Sequence, residues 1–306
     1  MMTPRDHGQN PGDPQTPAYR PSPLDPFMVN SGSTFQRKVR VELLRRAAPG
    51  VFWRRKVRQL QAARAEKELA LLPVLCRRGQ AGVDVGAAMG RYAVQMAPYV
   101  SQCFAFEAQP WQAEYLRQLA RHTGLPIVVD QVAVSDVDGR ATLRVPVGLQ
   151  GLSTIEAANP LVTAEAGAIA VDVRTRKLDS CAVGSVGFVK IDVEGHEGAV
   201  LEGAVTLLRT QRPRLVVEVE NRHREGAVDE LFDFMARLGY SGFFIDGCDL
   251  VSITEFDASV HQRPENADGW KMPEERRPQY VNNFVFVPED EAAALVNSAG
   301  ELLARR

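Results

Sequence analysis

The sequence contains few cysteines and no long apolar run. Its four cysteines form no Cys-x-x-Cys pair; they are Cys76, Cys103, Cys181 and Cys248. This spacing argues against both a zinc knuckle and a disulfide framework, so we expect reduced thiols in a cytoplasmic protein. No stretch approaches the ~20 apolar residues of a spanning helix, and the N-terminus has no apolar signal-peptide core. We therefore expect neither a secreted nor an integral-membrane protein.

An excess of one charge sign is also lacking. The 36 Lys and Arg residues are balanced by 38 Asp and Glu residues, which gives a formal net charge of -2. A chain with this balance has no bulk attraction to polyanions, so we do not expect it to coat nucleic acid. With 306 residues, of which 45% are hydrophobic, it can bury the core of a soluble globular protein.

Two unusual segments come before the regular part of the sequence. Seven of the nineteen prolines fall in the first thirty residues, which predicts a disordered arm over 1–32. Residues 37–64 contain ten Arg or Lys and one acid, a net charge of +9. Their apolar residues follow a helical spacing that Pro49 interrupts, which predicts a basic helical extension of two helices over 33–64. The extension either docks on the next domain as a solvated cap or binds an acidic partner, such as a carrier protein, RNA or an anionic lipid surface.

From residue 65 to 290 the sequence alternates between apolar strands and amphipathic helices. This alternation predicts an α/β domain with a mostly parallel sheet flanked by helices. Strands are predicted at 82–85, 102–107, 127–134, 187–192 and 214–220, and an antiparallel pair at 242–245 and 283–287. Helices are predicted at 65–77, 110–123, 197–210 and 227–238. An insertion, 139–180, adds extended edge strands at 141–145 and 170–175, and residues 291–306 form a C-terminal helix or tail.

A glycine-containing turn follows the first predicted strand. Gly86 and Gly90 separate this strand from a helix, and Glu107 ends the second strand. Glycines let backbone amides approach a ligand, and a carboxylate at the second strand accepts hydrogen bonds from ribose hydroxyls. The wider Gly-x-x-x-Gly spacing suits a nucleoside better than a pyrophosphate. The alternative is purely steric, because a tight strand-to-helix turn also needs glycine.

Ionisable residues follow two further strands. Asp192, Glu194, His196 and Glu197 lie at the end of the strand predicted at 187–192 or directly after it. Ligands of open α/β sheets bind beyond the carboxyl ends of the strands, so these side chains are expected in the same crevice as Gly86 and Glu107. Glu197 and Glu194 also suit the first turn of a helix, where they stabilise its dipole. Glu218 and Glu220 share one face of the strand 214–220 and either line the crevice or make the sheet edge soluble.

These motifs resemble the FkbM family of S-adenosylmethionine-dependent methyltransferases. The matching runs lie in the family's order over roughly residues 68–288. They are 83–92, 106–110, 133–136 with Gly139, 178–179, 189–197, 201–204, 217–219 and 283–286. One position departs from the family pattern Asp-Val-Gly-Ala-Asn, because Ala88 stands where the family usually has asparagine.

The resemblance implies a class I methyltransferase fold with a mostly parallel seven-stranded sheet. It also implies S-adenosylmethionine-dependent methylation of a hydroxyl on a sugar, glycolipid or secondary metabolite, hence a small-molecule or glycan acceptor. The implied cofactor-binding residues are Asp84, Gly86, Ala87, Gly90, Tyr92, Glu107, Ala108, Gln131, Val132 and Asp192. Acceptor contacts are expected from the variable segments 139–180 and 246–280.

An alcohol acceptor gains from a general base. We predict His196 in this role, oriented by Asp192 or Glu194, with His223 as the reserve, since histidine titrates near physiological pH. A metal-assisted variant competes with this assignment, because Asp192, Glu220 and Asn221 offer oxygen ligands that Mg²⁺ accepts. The metal is not the favoured alternative, since acids at adjacent strand ends also occur without one.

Other functions remain as alternatives. A nicotinamide oxidoreductase is disfavoured by the glycine spacing and by the lack of a Tyr-x-x-x-Lys pair. An RNA-directed methyltransferase would use the basic helices. Base methylases usually carry an Asn/Asp-Pro-Pro-aromatic motif, but residues 192–195 read Asp-Val-Glu-Gly. This difference argues against nucleic acid as the acceptor. A non-catalytic binding module that has lost its cofactor through Ala88 is the third alternative.

Overall fold

The structure is a computed structural model. It describes residues 35–62, 66–146, 150–157, 159–160, 168–267, 269, 272, 276 and 278–304. The proline-rich segment 1–32 lies outside these described residues.

A large sheet forms the centre of the fold. Its strands are β1 (Ala81–Val85), β2 (Cys103–Phe106), β3 (Ile127–Asp130), β7 (Val186–Ile191), β8 (Arg214–Glu218), β9 (Tyr240–Asp246), β10 (Asp249–Ser252) and β11 (Asn283–Pro288). They are arranged in the order β10-β9-β11-β8-β7-β1-β2-β3. The strands from β8 to β3 in this order run parallel, whereas β11, β9 and β10 pair antiparallel. Every residue of β1 and β7 is buried, which explains why both strands are apolar apart from Asp84 and Lys190.

The sheet has eight strands, so the predicted number of seven is wrong. The additional strand is β10, which pairs with β9 through a hairpin whose loop is Gly247 and Cys248. Gly247 has a φ of +59°, and such a glycine is typical of two-residue hairpin loops. Gly247 was therefore a usable sequence signal for the eighth strand. The antiparallel pairing of β9 and β11 was predicted and is confirmed, with Val285 opposite Phe243.

A second, three-stranded sheet contains both strands of the insertion. Its strands are β4 (Ala133–Val134), β5 (Gly139–Pro146) and β6 (Ala168–Arg176), in the order β4-β6-β5. The prediction of one strand over 127–134 is wrong, because the chain leaves the large sheet after β3 and joins the small one at β4. The two predicted insertion strands exist and pair antiparallel with each other, but they belong to this small sheet.

Ten α-helices occur among the described residues. They are α1 (Phe35–Ala47), α2 (Pro49–Ala62), α3 (Leu72–Leu75), α4 (Arg91–Met96), α5 (Pro110–Thr123), α6 (Glu197–Glu202), α7 (Val205–Gln211), α8 (Ala227–Arg237), α9 (Ala258–His261) and α10 (Ala292–Ala304). The predicted helix 65–77 is instead a 3-10 helix (Lys67–Leu71) followed by α3. The predicted helix 197–210 is split into α6 and α7. At the break, a Cβ on Gly203 would lie 2.0 Å from the carbonyl oxygen of Ser135.

Both faces of the large sheet carry a hydrophobic core. Side chains of α2, α3, α4, α5 and α10 cover one face, and those of α6, α7 and α8 cover the other. The basic helix α2 joins the first core through Phe52 and Trp53, which are buried. The Trp53 ring meets Tyr115 edge-on at 4.8 Å and stacks on His122 at 6.4 Å, both on α5. Within the described part of the chain, no helix has the length and apolar character needed to cross a membrane.

Candidate active site

A cleft lies at the carboxyl ends of β1, β2 and β7. It encloses about 610 Å³, including space open to solvent. Its walls come from the residues that follow these three strands, from β4 and from the insertion segment 151–155. The cleft therefore lies at the edge where ligands of open α/β sheets bind.

Glu107 holds the two loops that border the cleft. Its carboxylate accepts one hydrogen bond from the backbone N–H of Ala88 and another from that of Gln109, each at 2.7 Å. The side chain is buried, and burial raises its pKa to about 7, against the lowering effect of these two hydrogen bonds. Glu107 thus links the turn after β1 to the start of α5 and still presents carboxylate lone pairs to the cleft.

Gly86 allows β1 and β7 to approach closely beneath the cleft. It has a φ of +77°, and a Cβ there would lie 1.7 Å from the carbonyl oxygen of Asp192. The N–H of Asp192 also donates to the carbonyl oxygen of Val85 at 3.0 Å. The steric explanation of this glycine is therefore correct, and it is compatible with a ligand because Gly86 also lines the cleft.

Asp192 lines the cleft as well. Burial raises its pKa to about 6, and the nearby Lys190 opposes this shift. Three more of the predicted cofactor-binding residues line the cleft: Glu107, Ala108 and Val132. Together with Gly86, these groups come from the ends of β1, β2, β4 and β7, and the fold brings them to one edge.

Other predicted cofactor residues have structural contacts away from the cleft. The carboxylate of Asp84 accepts a hydrogen bond from the N–H of Ala93 at 2.8 Å and so holds α4 against β1. The ring of Tyr92 packs under the ammonium group of Lys190, 4.8 Å from the nitrogen. Three further predicted residues are also absent from the lining: Ala87, Gly90 and Gln131.

His196 lies in the cleft wall between two side chains that the sequence analysis missed. Its Nδ1 is 3.4 Å from Oε2 of Glu156, and its Nε2 is 2.9 Å from Oγ of Ser135. The predicted orienting residues, Asp192 and Glu194, do not make these contacts with the ring. Glu156 comes from the insertion, 40 residues earlier in the chain, and no local pattern marks it. Ser135 belongs to the family-like run 133–136, which was a usable signal.

Glu194 pairs with the other predicted histidine. Its Oε2 lies 3.2 Å from Nε2 of His223. Burial lowers the pKa of His223 to about 4, and burial followed by the charge of Asp192 raises that of Glu194 well above its usual value. Glu194 has a φ of +54°, a conformation that costs a non-glycine residue about 1–2 kcal/mol. His223 is buried and does not line the cleft.

The remaining predicted metal ligands have protein partners. Glu220 is buried, and its Oε2 lies 2.5 Å from Nε of Arg222 and accepts a hydrogen bond from the Tyr280 hydroxyl at 2.5 Å. The side-chain oxygen of Asn221 accepts from the N–H of Val228 at the start of α8. Among the residues that the structure describes, no group of three or more His, Cys, Asp or Glu side chains could hold a metal ion. A cation bound by Asp192, Glu220 and Asn221 would have to displace these contacts.

The insertion also contacts the backbone of the loop between β7 and α6. The side-chain amide of Asn159 donates to the carbonyl oxygen of Glu194 at 2.8 Å, and the hydroxyl of Thr154 donates to that of Val193 at 3.4 Å. Neither Asn159 nor Thr154 was among the predicted site residues. Gln112 on α5 is a further addition, because it lines the cleft and its buried Oε1 has no hydrogen-bond partner among the described residues.

The fold is thus an α/β fold with a large, mostly parallel sheet flanked by helices, and the site lies at its carboxyl edge. The family model described as the methyltransferase FkbM domain matches residues 84–241. The chain therefore belongs to the FkbM methyltransferase family, as its motifs predicted.

Solved structures give more distant similarities. A methyltransferase FkbM from Methylobacillus flagellatus KT is 15% identical, with a TM-score of 0.44, and the match covers 79% of this chain and 59% of that one. This chain thus spans about three fifths of that protein. A Streptococcus mutans protein in complex with SAH is 7% identical, with a TM-score of 0.40 and coverages of 72% and 95%. Precorrin-6y C5,15-methyltransferase from Geobacter metallireducens GS-15 is 10% identical, with a TM-score of 0.40 and coverages of 74% and 91%. No curated protein sequence matches the chain.

Proposed function

We propose that this protein is an S-adenosylmethionine-dependent O-methyltransferase acting on a hydroxyl of a sugar, glycolipid or secondary metabolite. The observation that carries the proposal is the position of Glu107. This buried carboxylate lines the cleft at the end of β2, directly beside Gly86 and the loop that contains Asp192 and His196. The arrangement supports a nucleoside at Glu107 and a reacting group near His196.

The groups in the cleft fit the methyl donor. Glu107 is a hydrogen-bond acceptor for ribose hydroxyls, and the unpartnered oxygen of Gln112 is a second acceptor nearby. Phe106, Val132 and Val134 supply apolar surface for a flat base. S-adenosylmethionine supplies a methyl group on a sulfonium, which an acceptor oxygen attacks. The task of the protein is to align the reactants, and such alignment lowers the barrier by up to about 7–11 kcal/mol in favourable systems.

His196 is the proposed general base. In this role the imidazole accepts the proton of the acceptor hydroxyl as the oxygen attacks. Glu156 stands 3.4 Å from Nδ1, where its carboxylate orients the ring. Nε2 lies 2.9 Å from the Ser135 hydroxyl, so it takes the acceptor proton either directly, after the acceptor hydroxyl displaces Ser135, or through the Ser135 hydroxyl. Glu156 is thus a positioning residue in this proposal. It has the orienting role that was predicted for Asp192 or Glu194.

Calorimetric titration with S-adenosylmethionine and S-adenosylhomocysteine tests the donor site. We expect binding by the wild type and its loss, or a weakening by at least tenfold, in Glu107→Gln, since the substitution removes a charged acceptor. Glu114→Gln on α5, an exposed carboxylate outside the cleft, is the matched control and should bind as the wild type does. If neither ligand binds to the wild type, the proposal is wrong and the non-catalytic module takes its place.

Turnover at saturating donor and acceptor tests the base. We expect His196→Ala to reduce kcat by about 10²–10⁴-fold without changing the affinity for S-adenosylhomocysteine. Glu156→Gln should give a smaller reduction and change the pH profile of kcat, whereas the exposed control Glu225→Gln should do neither. Near-normal turnover by His196→Ala would remove this residue from the mechanism and leave the donor site untouched.

A further inference from the structure

Helices α1 and α2 expose a basic surface that the proposed chemistry does not use. It consists of Leu43, Arg46, Val51, Arg54, Arg55 and Arg58, all of them exposed. Residues 51, 54, 55 and 58 follow the helical spacing of one face of α2. The opposite face of α2 buries Phe52 and Trp53 against the large sheet's helices. The extension is therefore docked on the domain, with its basic surface directed to solvent.

Among the described residues, few acids pair with the arginines of this surface. Glu42 is the one acid between residues 35 and 62, and it already bonds both Arg45 and Arg46. No ion pair joins Arg54, Arg55 or Arg58 to another residue in the described part of the chain. A surface of this kind is complementary to a polyanion.

Each of the two helices also exposes one large aliphatic side chain. Leu43 on α1 is 60% exposed and Val51 on α2 is 58% exposed, the highest values among the large hydrophobic residues that the structure describes. Folding leaves them in water, whereas a bilayer interface would bury them. Nucleic acid and acidic proteins satisfy the arginines, but an anionic membrane also provides an apolar layer beneath its phosphates. This combination favours lipid over the other acidic partners.

We propose that α1 and α2 dock this protein on an anionic phospholipid surface, with Leu43 and Val51 entering the headgroup boundary and the arginines contacting lipid phosphates. The association is peripheral and reversible, because it uses a few side chains of folded helices. Each arginine near an anionic leaflet strengthens binding about fivefold, so three of them together contribute roughly a hundredfold. Salt screens this contribution, and binding should weaken as ionic strength rises.

The experiment is sedimentation of the full-length protein with vesicles of phosphatidylcholine alone and of phosphatidylcholine mixed with phosphatidylglycerol. We expect binding to the mixed vesicles and little binding to phosphatidylcholine. The triple variant R54Q/R55Q/R58Q should bind the mixed vesicles roughly a hundredfold more weakly. The double variant L43S/V51S, which keeps every charge, should also bind more weakly. The matched control is R78Q/R209Q/R237Q, which removes three exposed arginines outside α1 and α2 and should bind as the wild type does.

Three outcomes would overturn the proposal. The first is that wild type does not sediment with the mixed vesicles. The second is that the control triple weakens binding as much as R54Q/R55Q/R58Q, which would indicate a net-charge effect. The third is that single-stranded RNA displaces the protein from the mixed vesicles while L43S/V51S binds these vesicles as the wild type does. This result would assign the surface to nucleic acid. Because all substituted side chains are exposed, unchanged circular dichroism is expected, and methyl transfer to a soluble acceptor provides a separate check that the variants are folded.

Discussion

Substitution of Gly86 by alanine tests the close approach of β1 and β7 under the cleft. In the structure a Cβ at this position would lie 1.7 Å from the carbonyl oxygen of Asp192 and 2.9 Å from its carbonyl carbon. Both distances are far inside van der Waals contact, and both partner atoms are backbone. The clash is therefore relieved only if the loop after β7 moves away from β1, which takes Asp192 with it.

The expected cost has three parts. A φ of +77° costs alanine about 1–2 kcal/mol, and forcing an extra methyl into a packed site costs about 1–3 kcal/mol. Separating the loops also weakens the hydrogen bond from the Asp192 N–H to the Val85 carbonyl oxygen, worth about 0.5–1.5 kcal/mol. Alanine recovers about 0.4–1 kcal/mol by restricting the unfolded chain. We expect Gly86→Ala to lower the free energy of unfolding by about 2–6 kcal/mol and to abolish binding of S-adenosylhomocysteine.

Gly79→Ala is the matched control. Gly79 has a φ of +82°, but no heavy atom lies within 4 Å of the Cβ that alanine would add. The two variants share the conformational cost and differ in the clash, which urea denaturation with an unchanged m-value isolates. We expect Gly86→Ala to be the less stable variant by at least about 1.5 kcal/mol. Equal stability of the two variants would refute the argument that close approach is the reason for Gly86.

Three further predictions follow from the buried acids, from Ala88 and from the contacts of Glu220 and Asn221. Burial raises the pKa of several carboxyls to about 6–7; they are Glu68, Asp84, Glu107, Asp192 and Glu197. The stability that these carboxyls contribute is complete below their pKa values in the unfolded chain, near 4, and is lost as pH rises through 6–7. Urea denaturation should therefore give a lower free energy of unfolding at pH 8 than at pH 5. A free energy of unfolding that stays constant or rises between these pH values would contradict this. Ala88 has a φ of +46°, so Ala88→Gly should raise the free energy of unfolding by up to about 1 kcal/mol. The control, Ala236→Gly in the helix α8, should lower it by up to about 1 kcal/mol. If Ala88→Gly were the less stable of the two variants, Ala88 would not be strained. Because Glu220 and Asn221 have protein partners, methyl transfer should survive exhaustive chelation, and loss of activity restored by Mg²⁺ would favour the metal-assisted alternative.

The sequence by itself determined the main sheet and the edge that carries the site. Apart from Asp84 and Lys190, the strands β1 and β7 are apolar because both of their faces are covered, and this pattern is visible without a structure. Gly86, Glu107 and Asp192 follow strands that run parallel, so their arrival at one edge is a consequence of strand direction. The family-like runs also fixed the family, which the match over residues 84–241 established.

The parts that depend on contacts between distant segments were decided only by the tertiary structure. Glu156 reaches His196 from the insertion, where the nearby Thr154 forms a bridge to Arg144 of β5. The two residues lie 40 positions apart in the sequence, and no periodicity between them would pair them. His223 and Glu220 also follow a strand, but their side chains are buried by the packing around β8 instead of facing the cleft. The local pattern of a sequence reports which residues prefer to be buried or to start a turn. It does not report which two remote side chains meet, because that is fixed by the packing of whole elements.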